Sequence, residues 1–255
     1  MIHGAFCGGW VFDDWRTLFE RAGYSTLAPT LRHHDGRSEP PAALATTSVL
    51  DYVRDIEALL DTLPSPPIVI GHSMGGLIAQ IVASRRRLRA LVLLAPSSPW
   101  GVLAATPFEY ASAQALYLAG DFWNRSLAPT HWIAAAHTLD NVPEPERRRL
   151  LKKLVPESGR ATFEIMHWPL DHTRATWCDP DAHRGPVLCL AGGSDRVNSP
   201  GTVRSVSRRY RNRARYAEVK GCSHWLIGEP GWERIAHLAL DWLAAQDADT
   251  QSAKI

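Results

Sequence analysis

No run of apolar residues in this 255-residue chain approaches the roughly 18 that a membrane-spanning helix needs, so no such helix is expected. Cysteine is scarce: Cys7, Cys178, Cys189 and Cys222 lie far apart, with no C-x-x-C and no zinc-ligand spacing. They read as buried free thiols in keeping with a reducing compartment. Charge of one sign is not in excess either. The net charge is +2, which gives no reason to expect nucleic acid, and the runs Arg85–Arg86–Arg87 and Arg147–Arg148–Arg149 read as solvated helix faces. No cationic-then-apolar leader opens the chain. The expectation is a cytoplasmic protein without membrane or nucleic-acid partners. Internal repeats are also lacking. With 45% hydrophobic residues, the length suits one large α/β domain, with room for an insertion.

What is present is organised around Pro67–Leu77. Four residues, Pro67-Ile68-Val69-Ile70, break at Gly71, and the apolar segment Leu77–Ala83 follows at once. Between them, Gly71-His72-Ser73-Met74-Gly75 matches G-x-S-x-G. That pattern alone arises by chance in roughly one in ten chains of this length. Between a strand and a helix it describes a sharp turn with Ser73 at its apex, where two glycines let strand and helix approach closely.

Around that stretch, strands and helices alternate. Trp15, Leu18, Phe19 and Ala22 recur at helical spacing, with Gly23 as a stop. Tyr24–Leu31 reads as a strand, 33–47 as a loop, and Leu50–Leu63 as an amphipathic helix ended by Pro64. Ala90–Ala95 is a wholly apolar strand. Pro186–Ala191 and Arg215–Val219 read as late strands and Gly201–Tyr210 as a helix. Ile235, Leu238 and Trp242 face the core from a final helix, and a polar, flexible tail is expected over 246–255. Only Met1 and Ile2 precede His3-Gly4, so the opening strand is expected to be very short or to lie upstream of this reading frame. Apolar strands alternating with helices predict a mainly parallel sheet with helices on both faces. From about Trp100 to Arg184 no clear strand is expected, only helices at Pro107–Ala119, Thr130–Thr138, Pro145–Leu154 and Gly159–His167. That aromatic-rich stretch reads as a helical cap (100–184) inserted into a core formed by 1–99 and 185–245.

A serine hydroxyl is a poor nucleophile near neutral pH and needs a base, which in turn needs an orienting carboxylate. In open parallel sheets functional groups gather beyond the carboxyl ends of the strands. Asp195 follows one late strand and His224 the next, giving the order Ser73, Asp195, His224. Acyl transfer also needs donors for the developing oxyanion. The amide after Ser73, that of Met74, is one. Ala5, in the His3-Gly4-Ala5 loop, is expected to supply the other, with Phe6 second. His3 and His72 read as structural. His33-His34-Asp35 and Asp171-His172 are weak metal candidates because neither has a third partner.

These residues resemble the α/β-hydrolase superfamily along nearly the whole chain, through His3-Gly4-Ala5, Gly71–Gly75, Gly193-Ser194-Asp195 and Gly221-Cys222-Ser223-His224. The opening His3–Trp10 looks most like the branch of methylesterases, hydroxynitrile lyases and carboxylesterases. The resemblance implies nucleophile Ser73, base His224, acid Asp195, oxyanion amides at Ala5 and Met74, a helical cap, and no cofactor; no metal is expected from the residues themselves. It also implies a serine carboxylesterase acting on small or polymeric hydrophobic esters, polyesters included. A hydroxynitrile lyase or a non-catalytic ligand-binding homologue are the alternatives. Ser73 departs from members that carry Asp at the nucleophile and cleave halides or epoxides. Trp225 stands where the cyanohydrin lyases place a lysine.

Overall fold

The computed structural model describes residues 1–36 and 40–252, with side chains as far as Asp247. Part of the expected 33–47 loop, residues 37–39, and the last three residues of the expected tail lie outside the described residues. The first helix, α1 (Asp13–Arg21), buries Trp15 and Phe19. Helix α2 (Val49–Leu60) starts at a capping box in which Ser48 accepts from the Leu50 N–H and Asp51 accepts from the Ser48 N–H. Then come β1 (Ile68–His72), α3 (Met74–Ala83) and β2 (Ala90–Leu94). After the intervening segment described below, the chain returns through β5 (Val187–Gly192), α8 (Pro200–Arg208) and β6 (Ala214–Val219), and closes with α9 (Trp232–Ser252).

The four strands form one parallel sheet in the order β1-β2-β5-β6, with Ile68 opposite Ala90 and Val187 opposite Ala214. Alternate residues feed opposite faces. Val69, Leu91, Leu93, Val187 and Cys189 pack with α2, α3 and α8. Ile70, Val92, Leu94, Leu188 and Leu190 pack with Trp15 and Phe19 of α1 and with Ile235, Ala239 and Trp242 of α9. Both faces of β1, β2 and β5 are covered and these strands are buried almost throughout, as expected of a parallel sheet, whereas the edge strand β6 carries the exposed Arg215 and Glu218 and is buried only at Val219. All four cysteines are buried and free. No helix among the described residues is long and apolar enough to cross a membrane.

Between β2 and β5 the chain forms α4 (Pro107–Ala115), β3 (Ser126–Leu127), α5 (His131–His137), α6 (Glu144–Lys153), β4 (Glu157–Ser158) and α7 (Gly159–Met166). The helices begin within one residue of the expected positions. The expectation of no strand is corrected: β3 and β4 pair antiparallel, Ser126 with Ser158 and Leu127 with Glu157. Two residues each are too few to leave an alternating pattern in the sequence. Phe122 is fully buried among Tyr117, Trp123, Phe163 and His167, whereas Tyr110 and Trp132 are exposed.

Two further readings are corrected. Tyr24–Leu31 forms no strand. The opening of the chain pairs with the sheet only where Ile2 bridges Gly71, and Pro29 has no N–H to give a ladder. Single bonds hold the segment instead, from the Met1 amino group to the Leu27 carbonyl (2.6 Å) and from the Leu31 N–H to His3 Nε2 (3.0 Å). The expected flexible tail from residue 246 is also displaced, because α9 continues to Ser252. The arginine runs are ion-paired at the surface: Arg86 with Glu57 and Asp61, Arg147 and Arg148 with Glu144, and Arg149 with Glu146.

Candidate active site

Ser73 sits between the last residue of β1 and the first of α3, with φ +54° and ψ −121°. A residue with a Cβ held at positive φ is strained by about 1–3 kcal/mol. The surroundings enforce it. The Ser73 N–H donates to the Leu94 carbonyl at the end of β2 (3.0 Å), and its own carbonyl accepts from Gly76, Leu77 and Ser97. The glycines leave no room for a side chain. A Cβ on Gly71 would meet the Gly75 carbonyl oxygen at 2.3 Å, and one on Gly75 would meet the Ile2 oxygen at 2.1 Å. The turn is thus packed against the opening loop. A Cβ on Gly4 would lie 3.0 Å from Ser73 Cβ, which places the His3–Phe6 loop directly beside the serine.

The three expected side chains meet. His224 Nε2 lies 3.0 Å from Ser73 Oγ, and His224 Nδ1 lies 2.8 Å from Asp195 Oδ2. All three are almost fully buried. Asp195 can only accept, so His224 carries its proton on Nδ1, and Nε2 faces the serine hydroxyl with a lone pair. The other oxygen of Asp195, Oδ1, accepts from the Val197 N–H (2.7 Å) and the Asn198 N–H (3.0 Å). Asn198 Nδ2 in turn donates to the Ala95 carbonyl at 2.8 Å, tying the loop after β5 to the end of β2. Sequence reasoning missed Val197 and Asn198. The signal was an Asp two residues before a free amide, an Asx turn.

The neighbouring histidines hold the frame. His72 Nε2 donates to the His224 carbonyl (2.9 Å), and its Nδ1 has no partner among the described residues. Burial, reinforced by the nearby His224, lowers the His72 pKa to about 3. His3 Nδ1 donates to the Gly4 carbonyl (2.8 Å), and Nε2 accepts from Leu31. Burial and the adjacent His34 push its pKa down to about 4. Both rings are neutral near pH 7 and serve as hydrogen-bonding struts.

Met74 is the first residue of α3, so its N–H has no acceptor within the helix. The Ala5 N–H likewise has no acceptor among the described residues, whereas the Phe6 N–H is taken by Glu157 Oε2 at 3.3 Å. The weak metal candidates do not assemble, and no group of three potential ligands occurs among the described residues. Asp171 accepts instead from the amides of Thr173 and Ala175, and His34 bonds to Glu157. Two cavities, of about 950 and 390 Å³, lie away from the three residues. One opens among Arg85–Arg89 and Arg184, the other beside Arg160 and Glu164.

Residues 1–238 match the model of the alpha/beta hydrolase family. Among curated proteins, 98 residues are 30% identical to the carbendazim hydrolyzing esterase of Nocardioides sp. (strain SG-4G), covering 37% of this chain and 39% of that enzyme. Across 252 residues the chain is 26% identical to the sn-1-specific diacylglycerol lipase ABHD11 of Mus musculus, covering 88% of this chain and 74% of the lipase. Among solved structures, a methylesterase from Arabidopsis superposes with a TM-score of 0.70 at 16% identity, over 95% of this chain and 98% of that one. These relatives and neighbours are named for ester hydrolysis, and the match over 238 residues settles the family: the chain belongs to the alpha/beta hydrolases.

Proposed function

We propose that the protein is a serine carboxylesterase working through an acyl-enzyme. The observation that carries this reading is the continuous chain from Ser73 Oγ through the His224 imidazole to Asp195, set at a turn that holds Ser73 at positive φ. His224 Nε2 takes the hydroxyl proton as Oγ attacks the ester carbonyl carbon, and the carbonyl oxygen becomes an oxyanion. The amides of Met74 and Ala5 hold that oxyanion, both being free of acceptors within the described chain. Collapse expels the alcohol, which takes the proton from His224. Water then attacks the acyl-enzyme, giving its proton to His224, and collapse releases the acid from Ser73 Oγ, which takes that proton back from His224. Asp195 fixes the tautomer and stabilises the imidazolium without itself taking the proton.

In this reading 1–99 with 185–245 is the catalytic core, and 100–184 is a cap carrying α4 to α7. The aromatic content of that segment suits a hydrophobic acyl or alcohol group, in small esters or along a polyester. The cycle needs no cofactor, and the four unpaired thiols suit a cytoplasmic setting. The test is turnover of a p-nitrophenyl ester. Ser73→Ala is expected to lower kcat by about 10⁶, and a fluorophosphonate is expected to label Ser73 in the unaltered protein, as read by mass spectrometry. A Ser73→Ala protein with full turnover overturns the reading. An unlabelled, unreactive Ser73 indicates a non-catalytic binding protein.

A further inference from the structure

A second histidine–carboxylate pair lies buried beside the opening loop. Glu157, in β4, is wholly inaccessible. Its Oε1 accepts from the Tyr52 hydroxyl (2.7 Å) and the Ser158 N–H (2.7 Å), and its Oε2 from His34 Nε2 (2.9 Å) and the Phe6 N–H (3.3 Å). His34 Nδ1 lies 2.9 Å from the Arg32 carbonyl oxygen, which can only accept. Four donors around one carboxyl group leave it no use for a proton of its own. The Tyr52, Ser158 and Phe6 donors favour the ionised carboxylate, and the carbonyl on Nδ1 together with that carboxylate on Nε2 favours the doubly protonated ring. Burial disfavours both charges, but their mutual attraction outweighs it, holding the His34 pKa above its ordinary value and the Glu157 pKa below. A buried ion pair is seldom retained for its stability alone, which raises the question of what this one holds.

It holds Phe6. The Glu157 carboxylate takes the Phe6 N–H, and the Val155 N–H, two residues earlier in the chain, donates to the Phe6 carbonyl at 2.9 Å. Both backbone polar groups of Phe6 are thus clamped by one short segment, and Phe6 is kept at φ +61°, where a bulky residue does not sit unaided. Ala5 precedes it directly. The clamp fixes the Ala5–Phe6 peptide plane and removes the Phe6 amide as a rival oxyanion donor.

We propose that Glu157, braced by His34 and Tyr52, is a positioning residue that sets the oxyanion loop through Phe6, so that the Ala5 amide rather than the Phe6 amide faces the reacting carbonyl. This rests on the esterase reading of Ser73. It implies that the 100–184 segment takes part in the chemistry by shaping the core's oxyanion loop from 151 residues away in sequence.

The test is Glu157→Gln, which keeps the shape and removes the charge. Its kcat on a p-nitrophenyl ester is expected to fall ~10–100-fold, short of the ~10²–10³ for outright loss of a donor, with KM within about twofold. Affinity for a trifluoromethyl ketone, which forms an oxyanion on Ser73, should weaken by the same factor as kcat, while the circular-dichroism spectrum is retained. In the unaltered protein the Phe6 amide should exchange slowly with deuterium by NMR, which keeps the proposal testable if the variant does not fold. A kcat and ketone affinity unchanged in folded Glu157→Gln, or a freely exchanging Phe6 amide, overturns it. If fluorophosphonate fails to label Ser73 in the unaltered protein, the esterase reading has failed. If labelling and turnover stand and Glu157→Gln is indifferent, only the positioning role is lost.

Discussion

The two buried histidine–carboxylate pairs, His224 with Asp195 and His34 with Glu157, have nearly the same separation, 2.8 and 2.9 Å. They differ in what the other ring nitrogen meets. His224 Nε2 faces a serine hydroxyl, which can give up a proton. His34 Nδ1 faces a backbone carbonyl, which has none to give. The first ring can exchange a proton with the group on its far nitrogen, whereas the second has there only a carbonyl to hold. A histidine beside a carboxylate is therefore a poor predictor of catalysis by itself; the partner on the far nitrogen decides.

The largest effect that would break this contrast is at Asp195. An amide in its place can offer its NH₂ group to Nδ1 and so move the ring proton to Nε2, where it opposes deprotonation of Ser73. Asp195→Asn is expected to lower kcat by ~10⁴ with little change in KM or fold, measured on the same p-nitrophenyl ester. A loss below tenfold would mean that the orientation of His224 does not depend on the carboxylate, and the two pairs would no longer differ in kind.

The second pair should answer in stability more than in rate. His34→Gln leaves Glu157 charged and buried without its cation, which costs about 3–5 kcal/mol, read from urea denaturation. Adding Glu157→Gln neutralises the site, so the double variant is expected to be more stable than His34→Gln alone. Equal stability of the two would show that the charges do not interact.

The contrast also separates what could be read in the sequence from what could not. Ser73 and Asp195 stand just past apolar strands and His224 just past the mixed edge strand β6, each close to glycines, so local pattern and the strand-end rule for parallel sheets bring them together. The elbow is legible because Gly71 and Gly75 answer to contacts within a few residues and with the chain's opening. Glu157 and His34 are 123 positions apart and lie in short or irregular segments with no period. In the sequence His34 reads as part of a weak metal candidate, His33-His34-Asp35, because nothing local shows that a distant carboxylate will meet it. Tyr24–Leu31 failed as a strand for a related reason: its β-like composition was visible, but the absence of a long pairing partner was not. The helices between 107 and 166 begin within one residue of their expected positions, whereas the two-residue strands β3 and β4 are too short to leave a pattern.

The smallest expected effect sharpens the contrast through pH. His3 and His72 are buried and neutral, with pKa values pushed down to about 4 and about 3, first by burial and then by the neighbouring histidines His34 and His224. In the unfolded chain both titrate near 6.5. Above that pH neither state binds the proton and their contribution to stability is complete. As pH falls below 6.5 the unfolded chain takes up protons that the folded rings refuse, so stability drops by about 1.4 kcal/mol per pH unit for each ring. His34 works in the opposite sense: its pKa is raised in the fold, so its contribution is complete below the unfolded value and is lost as pH rises through the folded one. Urea midpoints between pH 6.5 and 5, above the range where most carboxylates titrate, isolate the histidines. The midpoint should fall with pH, and His72→Gln, which keeps a donor for the His224 carbonyl but cannot titrate, should flatten the slope by roughly the share of one ring, about 1.4 kcal/mol per pH unit. An unchanged slope would mean that the folded protein accepts a proton at His72, and the ring would then be a charged neighbour of His224 rather than a neutral strut.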